Sequence, residues 1–490
     1  MTAQADPILE RVQWVLKDPR FVAVAAGLIA AAMAVAMAGQ DTIILLLLPV
    51  VLVCIAASIK YPLVALWLLV AIMVTNASQN LIVEFGLPSI AKLAAPGMFV
   101  LFAARYFILG ERPYFGRLAI CGLLIVLGMK AVSMIYARDW EVAFDEADGF
   151  MRDVLYTILA LGFLSHRKSY QTVMSAAPIA VALICALGVY QYIVGYDPGG
   201  FRSFALIIEH TGRFTGPLGD ANFFGVIIVF AVPLALFHVM NGRAPVEILV
   251  WSVISAVLIA GLVATNSRGA LVGLAFGLMI LALGMTVRQV IGYALLAVVA
   301  LAIAMMFMGQ ETIDRFATIL GIVSSVSDAG DTSTEGRLAS WAVAFSLFRD
   351  YPLFGVGVGN FNLHYQDRAL ELGLIFRGEG RSTHSLYLEF LAEQGLVGLG
   401  LVLCILGAAA VSIVSAVKEL RRLGEERMAR HMTAFGAALG GYLFGMTFLH
   451  DSFPRFLWFV IALGLEARFF VAYHYGDARL GRFVRRSQGA

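Results

Sequence analysis

Apolar runs, many of about 18 residues or more, recur along the chain between short polar connections. They fall near 21–39, 42–59, 61–76, 92–109, 118–137, 152–165, 173–195, 222–240, 247–265, 269–286, 289–309, 396–416, 431–449 and 453–473. Each such run predicts a helix that crosses the hydrocarbon core, because only a helix satisfies its own backbone there. The pattern therefore predicts an all-α polytopic membrane protein with 14 transmembrane helices. Ahead of the first run, Ile8, Val12, Val15 and Leu16 have the spacing of a helix lying on the membrane surface. One long polar stretch, 310–384, interrupts the series and predicts a large loop carrying short helices.

This divides the chain into an interfacial segment 1–20, spans over 21–309, the large loop 310–384, a re-entrant helix with three further spans over 385–473, and a basic tail 474–490. Composition agrees: 60% of residues are hydrophobic and 14% charged, against about 25% charged in soluble proteins. The first run lacks a convincing small-residue cleavage site and is expected to be retained. Cys54, Cys121, Cys185 and Cys404 each lie inside an apolar run and read as small buried hydrophobes. With a net charge of +2 and no basic tract, no nucleic-acid partner is expected.

Lys and Arg alternate between connections, which orients the spans. With both termini cytoplasmic, the inner connections hold Lys60, Arg112, Arg117, Arg167, Lys168, Arg243, Arg288, Lys418, Arg421 and Arg427. The connections at 40–41 and 77–91 hold none, and 138–151 is mostly acidic. The periplasmic face then carries the connection 196–221, the turn 265–269, the large loop and the turn His450-Asp451-Ser452.

Those outer features hold the candidate chemistry. Arg213 lies in the first. Arg268 stands in the turn Thr265-Asn266-Ser267-Arg268-Gly269, near headgroup level. An Arg there either snorkels to the interface or binds a phosphate, and Asn266 and Ser267 offer donors beside it. Arg337 opens a helix whose apolar stripe is Leu338, Trp341, Phe345 and Phe348, which Pro352 stops. Taken alone, it reads as an exposed charge. Gly355, Gly357 and Gly359 lack the GxGxxG spacing and the surrounding strand and helix of a nucleotide loop, so they predict a tight turn with bare backbone. His384 follows Ser382 and Thr383, either of which can cap the helix that begins there. A helix start offers N–H groups to an anion, so His384 is either a satisfied structural residue or a catalyst. Glu389 and Glu393 lie one turn apart, placed to orient a base or to face water.

In order, these residues resemble the O-antigen ligase and O-antigen polymerase superfamily of bacterial inner-membrane enzymes. His384, Ser385, nine residues, Gly395, two residues and Gly398 fit the family's ligase motif. Ser267-Arg268-Gly269-Ala270 and Gly336-Arg337 with Trp341 look like its two arginine segments. The string from Pro352 to Phe361 is also similar, and the likeness is clearest over 213–398.

The resemblance implies a glycosyltransferase of the inner membrane, acting in O-antigen or exopolysaccharide ligation or polymerisation. Its donor would be a glycan linked through pyrophosphate to undecaprenol. Its acceptor would be another glycan or a lipid A core, met at the periplasmic face among membrane lipids. No cofactor, nucleotide sugar, ATP or metal is expected, and displacement would invert the anomeric centre. His384, Arg268 and Arg337 would be catalytic, with Arg213, Asn266, Ser267 and Ser385 binding substrate. The His384 motif favours a ligase, whereas the length and span count favour a polymerase. A lipid-linked oligosaccharide flippase is the main alternative, since it too has many spans and interior cations. It would not need the large loop ending in Ser-Thr-His-Ser.

Overall fold

The computed structural model describes residues 61–85, 90–194, 206–208, 213–283, 332–374, 381–451 and 454–476, with positions 58, 285, 290–292 and 295. The predicted runs at 21–39, 42–59 and 289–309 lie outside these residues, apart from isolated positions. So do the interfacial segment, the basic tail beyond residue 476, and residues 310–331 and 375–380 of the loop.

The chain is helical through most of what is described. It begins with α1 (Pro62–Val74), α2 (Ala77–Phe85), α3 (Ile90–Leu109), α4 (Arg117–Ser133), α5 (Trp140–Leu161) and α6 (Ser169–Val194). A short antiparallel pair follows, β1 (Leu206–Ile208) with β2 (Arg213–Gly216). Next come α7 (Ala221–Asn241), α8 (Pro245–Ala264) and α9 (Arg268–Ala282). The large loop contributes α10 (Thr332–Asp350) and α11 (Phe361–Glu371). The last helices are α12 (Leu386–Arg422), α13 (Glu426–Gly445) and α14 (Pro454–His474). Among the described residues, α6, α7, α8, α12 and α14 are long and apolar enough to cross a membrane. Shorter apolar helices are α1, part of α3 and α9.

Two predicted elements differ. The run at 152–165 belongs to a longer helix, α5, which begins at Trp140. Asp139 starts that helix by accepting from the amides of Glu141 and Val142. The acidic residues of 138–151 thus lie on a helix, not in a loop. The run at 396–416 starts where expected, after a break at Gly395 that separates it from the helix beginning at Leu386, but it continues to Arg422.

The centre of the bundle is α7. Almost every residue from Ala221 to Phe237 is buried, as expected of a helix that is apolar all round. Beside it, α9 and α13 approach backbone to backbone. A Cβ on Gly273 would lie 2.8 Å from the Gly441 carbonyl oxygen, the small-residue packing typical of membrane helices. This brings the first turn of α9 beside the end of α13, where Phe448 covers Gly269.

The large loop builds a second, smaller core. Val343, Ala344 and Leu347 of α10 are buried against Val356, Phe361, Tyr365, Ala369 and Ala392. The apolar stripe read from the sequence, Leu338 with Trp341, Phe345 and Phe348, is not the buried one, and Leu338 and Phe345 are exposed. Helix α10 has two apolar stripes. The one bearing Ser340, Val343 and Ala344 is slimmer and lets the neighbouring chain come closer.

Candidate active site

The predicted residues gather at one end of the bundle. The first cluster joins β2, the start of α7 and the turn before α9. Arg213 donates from Nε to the Thr265 carbonyl at 3.0 Å and from Nη2 to Asn222 Oδ1 at 3.0 Å. Ser267 Oγ also donates to Asn222 Oδ1 at 3.0 Å. Asn266 adopts a left-handed backbone (φ 51°) to make the turn. Ser267 then caps α9 by accepting from the Ala270 amide. Arg213, Asn266 and Ser267 thus shape the turn that presents Arg268, the exposed first residue of α9.

The second cluster surrounds His384. Its backbone is left-handed (φ 50°), a conformation that costs a non-glycine residue about 1–2 kcal/mol. Thr383 and Ser385 frame it. The Ser385 amide donates to Thr383 Oγ1 at 3.4 Å, while Thr383 Oγ1 donates to the Ser385 carbonyl at 3.0 Å. The helix cap is Ser385, which accepts from the Leu388 amide at 3.4 Å. Ser382 and Thr383 were the expected caps. Ser385 lies in the motif as a substrate-binding candidate, but it is 2% exposed and its hydroxyl holds the helix start.

Burial pushes the His384 imidazole pKa below its ordinary value, and Arg337 and Arg381 lower it further, with Asp220 opposing them. The ring is therefore neutral at neutral pH. Arg337 stands close enough to His384 to act on its charge. Arg381 was not singled out by the sequence, although it lies three residues before the histidine. It passes across Gly336, where a Cβ would meet its guanidinium at 2.7 Å, which gives the Gly336-Arg337 pair a reason.

His450 is the second imidazole. It meets His384 edge to face, with ring centroids 5.7 Å apart, and Phe223 at 5.2 Å. Burial and His384 lower its pKa to about 4. Asp451, next in sequence, has its carboxyl pushed up by burial to about 6. Its amide donates to Glu389 Oε2 at 2.7 Å. Glu389 therefore holds the His450–Asp451 turn instead of facing water. Glu393 accepts from the Gly359 amide at 2.9 Å and the Phe361 amide at 3.2 Å, which ties the glycine loop to α12.

A polar cavity of about 650 Å³ opens beside these residues, lined by Asp145, Glu146, Glu389, Glu393, His450 and Asp451 among others. Ser382 and Thr383, the two residues before the half-buried His384, line it as well, so the base and its guanidinium neighbours adjoin a cavity rich in hydrogen-bond acceptors. Such a site can hold an anion on one side and a polyhydroxylated molecule on the other.

The fold and this end of it define a class: an all-helical membrane protein with a cationic, imidazole-bearing site where its helices begin and end. Residues 253–403 match the O-antigen ligase family model. That segment is similar to the O-antigen ligase family, which supports a membrane role in glycan ligation or polymerisation. It spans Arg268, Arg337, Arg381 and His384, while Arg213, Asp220 and His450 lie outside it. No curated protein matches the chain.

Proposed function

We propose that the protein transfers a glycan from an undecaprenyl-pyrophosphate donor to an acceptor sugar hydroxyl at the periplasmic face of the bacterial inner membrane. The observation that carries this reading is a neutral, half-buried His384 that feels two guanidinium groups and directly follows Ser382 and Thr383, which line an acidic cavity. In the reaction, the acceptor oxygen attacks the anomeric carbon of the donor. The bond from that carbon to the pyrophosphate oxygen breaks, and the electron pair leaves with the pyrophosphate. The acceptor proton passes to His384. A positioned base of this kind contributes about 10²–10⁴-fold. Arg337 and Arg268 stabilise the charge that develops on the leaving group. Attack from the side opposite the leaving group inverts the anomeric centre. The carboxylates of the cavity accept hydrogen bonds from acceptor hydroxyls, and no metal is needed.

Incubating the purified protein with lipid-linked repeat units tests the reading. A ladder of products identifies a polymerase. Product formed only after a lipid A core is added identifies a ligase. Movement of intact donor across a bilayer with no new glycosidic bond under either condition would replace the proposal with transport.

A further inference from the structure

A second polar cavity, of about 700 Å³, lies at the opposite end of α7 from the His384 site. Helix α7 has 21 residues, which at about 1.5 Å per residue separates the two by about 30 Å. Two imidazoles form its inner wall. His238 of α7 stacks on Trp251 of α8, with ring centroids 4.0 Å apart and planes 10° from parallel. His431 of α13 lies 5.5 Å from His238 and is only 6% exposed. The Nε2 atoms of both are buried and have no hydrogen-bond partner. Leaving such an atom unsatisfied costs about 1–3 kcal/mol, so the wall is built for something that supplies the partner.

Three cations, Lys168, Arg243 and Arg427, stand around the mouth. Two carboxylates line it too, but both are engaged. Glu425 accepts from Arg167 at 2.9 Å. Glu247 accepts from the Arg243 amide at 2.9 Å and faces Arg427 at 3.9 Å. Among the described residues the Lys168 ammonium and the Arg243 guanidinium have no ion-pair partner. The cavity thus presents surplus positive charge over buried nitrogen donors, which matches a phosphate group with its several acceptor oxygens. The adjacent face of α8 exposes Val246, Leu249, Val250 and Val253, a surface suited to acyl chains. Basic pockets between membrane helices hold anionic headgroups in this way.

We infer that the cavity of Lys168, Arg243 and His431 binds a phosphate-bearing anion, supplied by the headgroup of an anionic phospholipid. The site is independent of the transfer reaction, and its test needs no glycan. The full-length protein in detergent is titrated with phosphatidylglycerol, with phosphatidylcholine and with inorganic phosphate, and binding is read by native mass spectrometry. The same titrations are run on the Lys168→Gln/Arg243→Gln double variant, whose altered side chains are exposed. Phosphatidylglycerol should bind the wild type in preference to phosphatidylcholine, and about tenfold or more weaker in the double variant, the loss expected from charge-assisted contacts. Equal phosphatidylglycerol binding by both proteins overturns the site. Inorganic phosphate that binds with the same dependence on Lys168 and Arg243, without a preference between the lipids, overturns the lipid as its source.

Discussion

At the scale of single residues, the direction of the His384 shift makes the proposed base testable. A base must be unprotonated, so activity should rise with pH through the folded-state pKa of His384. Burial, Arg337 and Arg381 hold that value below the ordinary 6.5. The acid limb of the rate profile is therefore expected below pH 6.5, with a plateau at neutral pH. If His384 instead acted as a third cation on the pyrophosphate, the slope would reverse. Arg381→Gln removes one of the two guanidinium groups that depress it, so the acid limb should move to higher pH. Asp220 remains and opposes the shift in both proteins. His384→Gln should lose about 10²–10⁴-fold in turnover at pH 7.5. An unchanged profile in Arg381→Gln, with activity kept in His384→Gln, would remove His384 from the reaction.

The two predicted arginines call for a different comparison. Guanidinium engages two phosphate oxygens at once, whereas ammonium acts as a point charge. Arg268→Lys and Arg337→Lys should each lose activity beyond any loss of protein level, measured as transfer per mole of purified enzyme. Near-normal turnover in both would leave them as interfacial charges. Arg213 is expected to respond differently. Its bonds run to Thr265 and Asn222, so Arg213→Lys should lower the melting temperature as well as the rate.

At the scale of elements, the break in α12 explains two glycine motifs together. Gly395 has φ 65° and interrupts the helix. The backbone groups released there are taken up by the loop from Pro352 to Gly357. Leu396 and Val397 amides donate to the Pro352 and Leu353 carbonyls at 2.9 and 3.2 Å. The Val356 and Gly357 amides donate to the Ala392 and Glu393 carbonyls at 3.0 and 2.9 Å. Buried backbone groups must find such partners. A Cβ on Gly395 would lie 2.3 Å from the Leu353 backbone, and one on Gly355 would lie 2.3 Å from that of Glu393. Either Gly395→Ala or Gly355→Ala should therefore lower the melting temperature of the purified protein by several degrees. Gly400→Ala is the control, since nothing lies within 4 Å of its added Cβ and alanine favours a helix by about 1 kcal/mol. Equal melting temperatures for Gly395→Ala and Gly400→Ala would mean that loop and helix are not joined.

The glycines were visible in the sequence as a tight turn with bare backbone, but their partner was not. Spacing records that a Cβ is missing, not which chain fills the gap 40 residues away. Likewise, the order of Arg268, Arg337 and His384 was legible because each belongs to a local motif. Arg381, Asp220 and His450 were not, since they join His384 only through folding. Helix identity read well where apolar runs were long, as in α7 and α8. It failed at α5, whose acidic first half hides a helix that Asp139 caps. On α10 the helix was legible but its buried face was not, since two apolar stripes compete and only packing chooses between them.

At the scale of the whole molecule, the connections sort into two ends. The His384 end holds the starts of α7, α9, α12 and α14 and the ends of α4, α8 and α13. The opposite end holds Arg167 against Glu425 and Arg427 against Glu247. This division agrees with the Lys/Arg alternation, from which the first end is expected to face the periplasm. Single cysteines introduced into a cysteine-free background, at Glu371 in α11 and at Glu426 in α13, decide it. Both positions are exposed and lie at opposite ends. An impermeant thiol reagent applied to intact spheroplasts should label Glu371→Cys alone, and lysis should expose Glu426→Cys. Labelling of Glu426→Cys alone before lysis would place His384 in the cytoplasm, where a donor presented at the periplasmic face cannot reach it. Labelling of both before lysis would mean that the two ends are not separated by the bilayer, and the span assignment of α7, α12 and α13 would fall with the orientation.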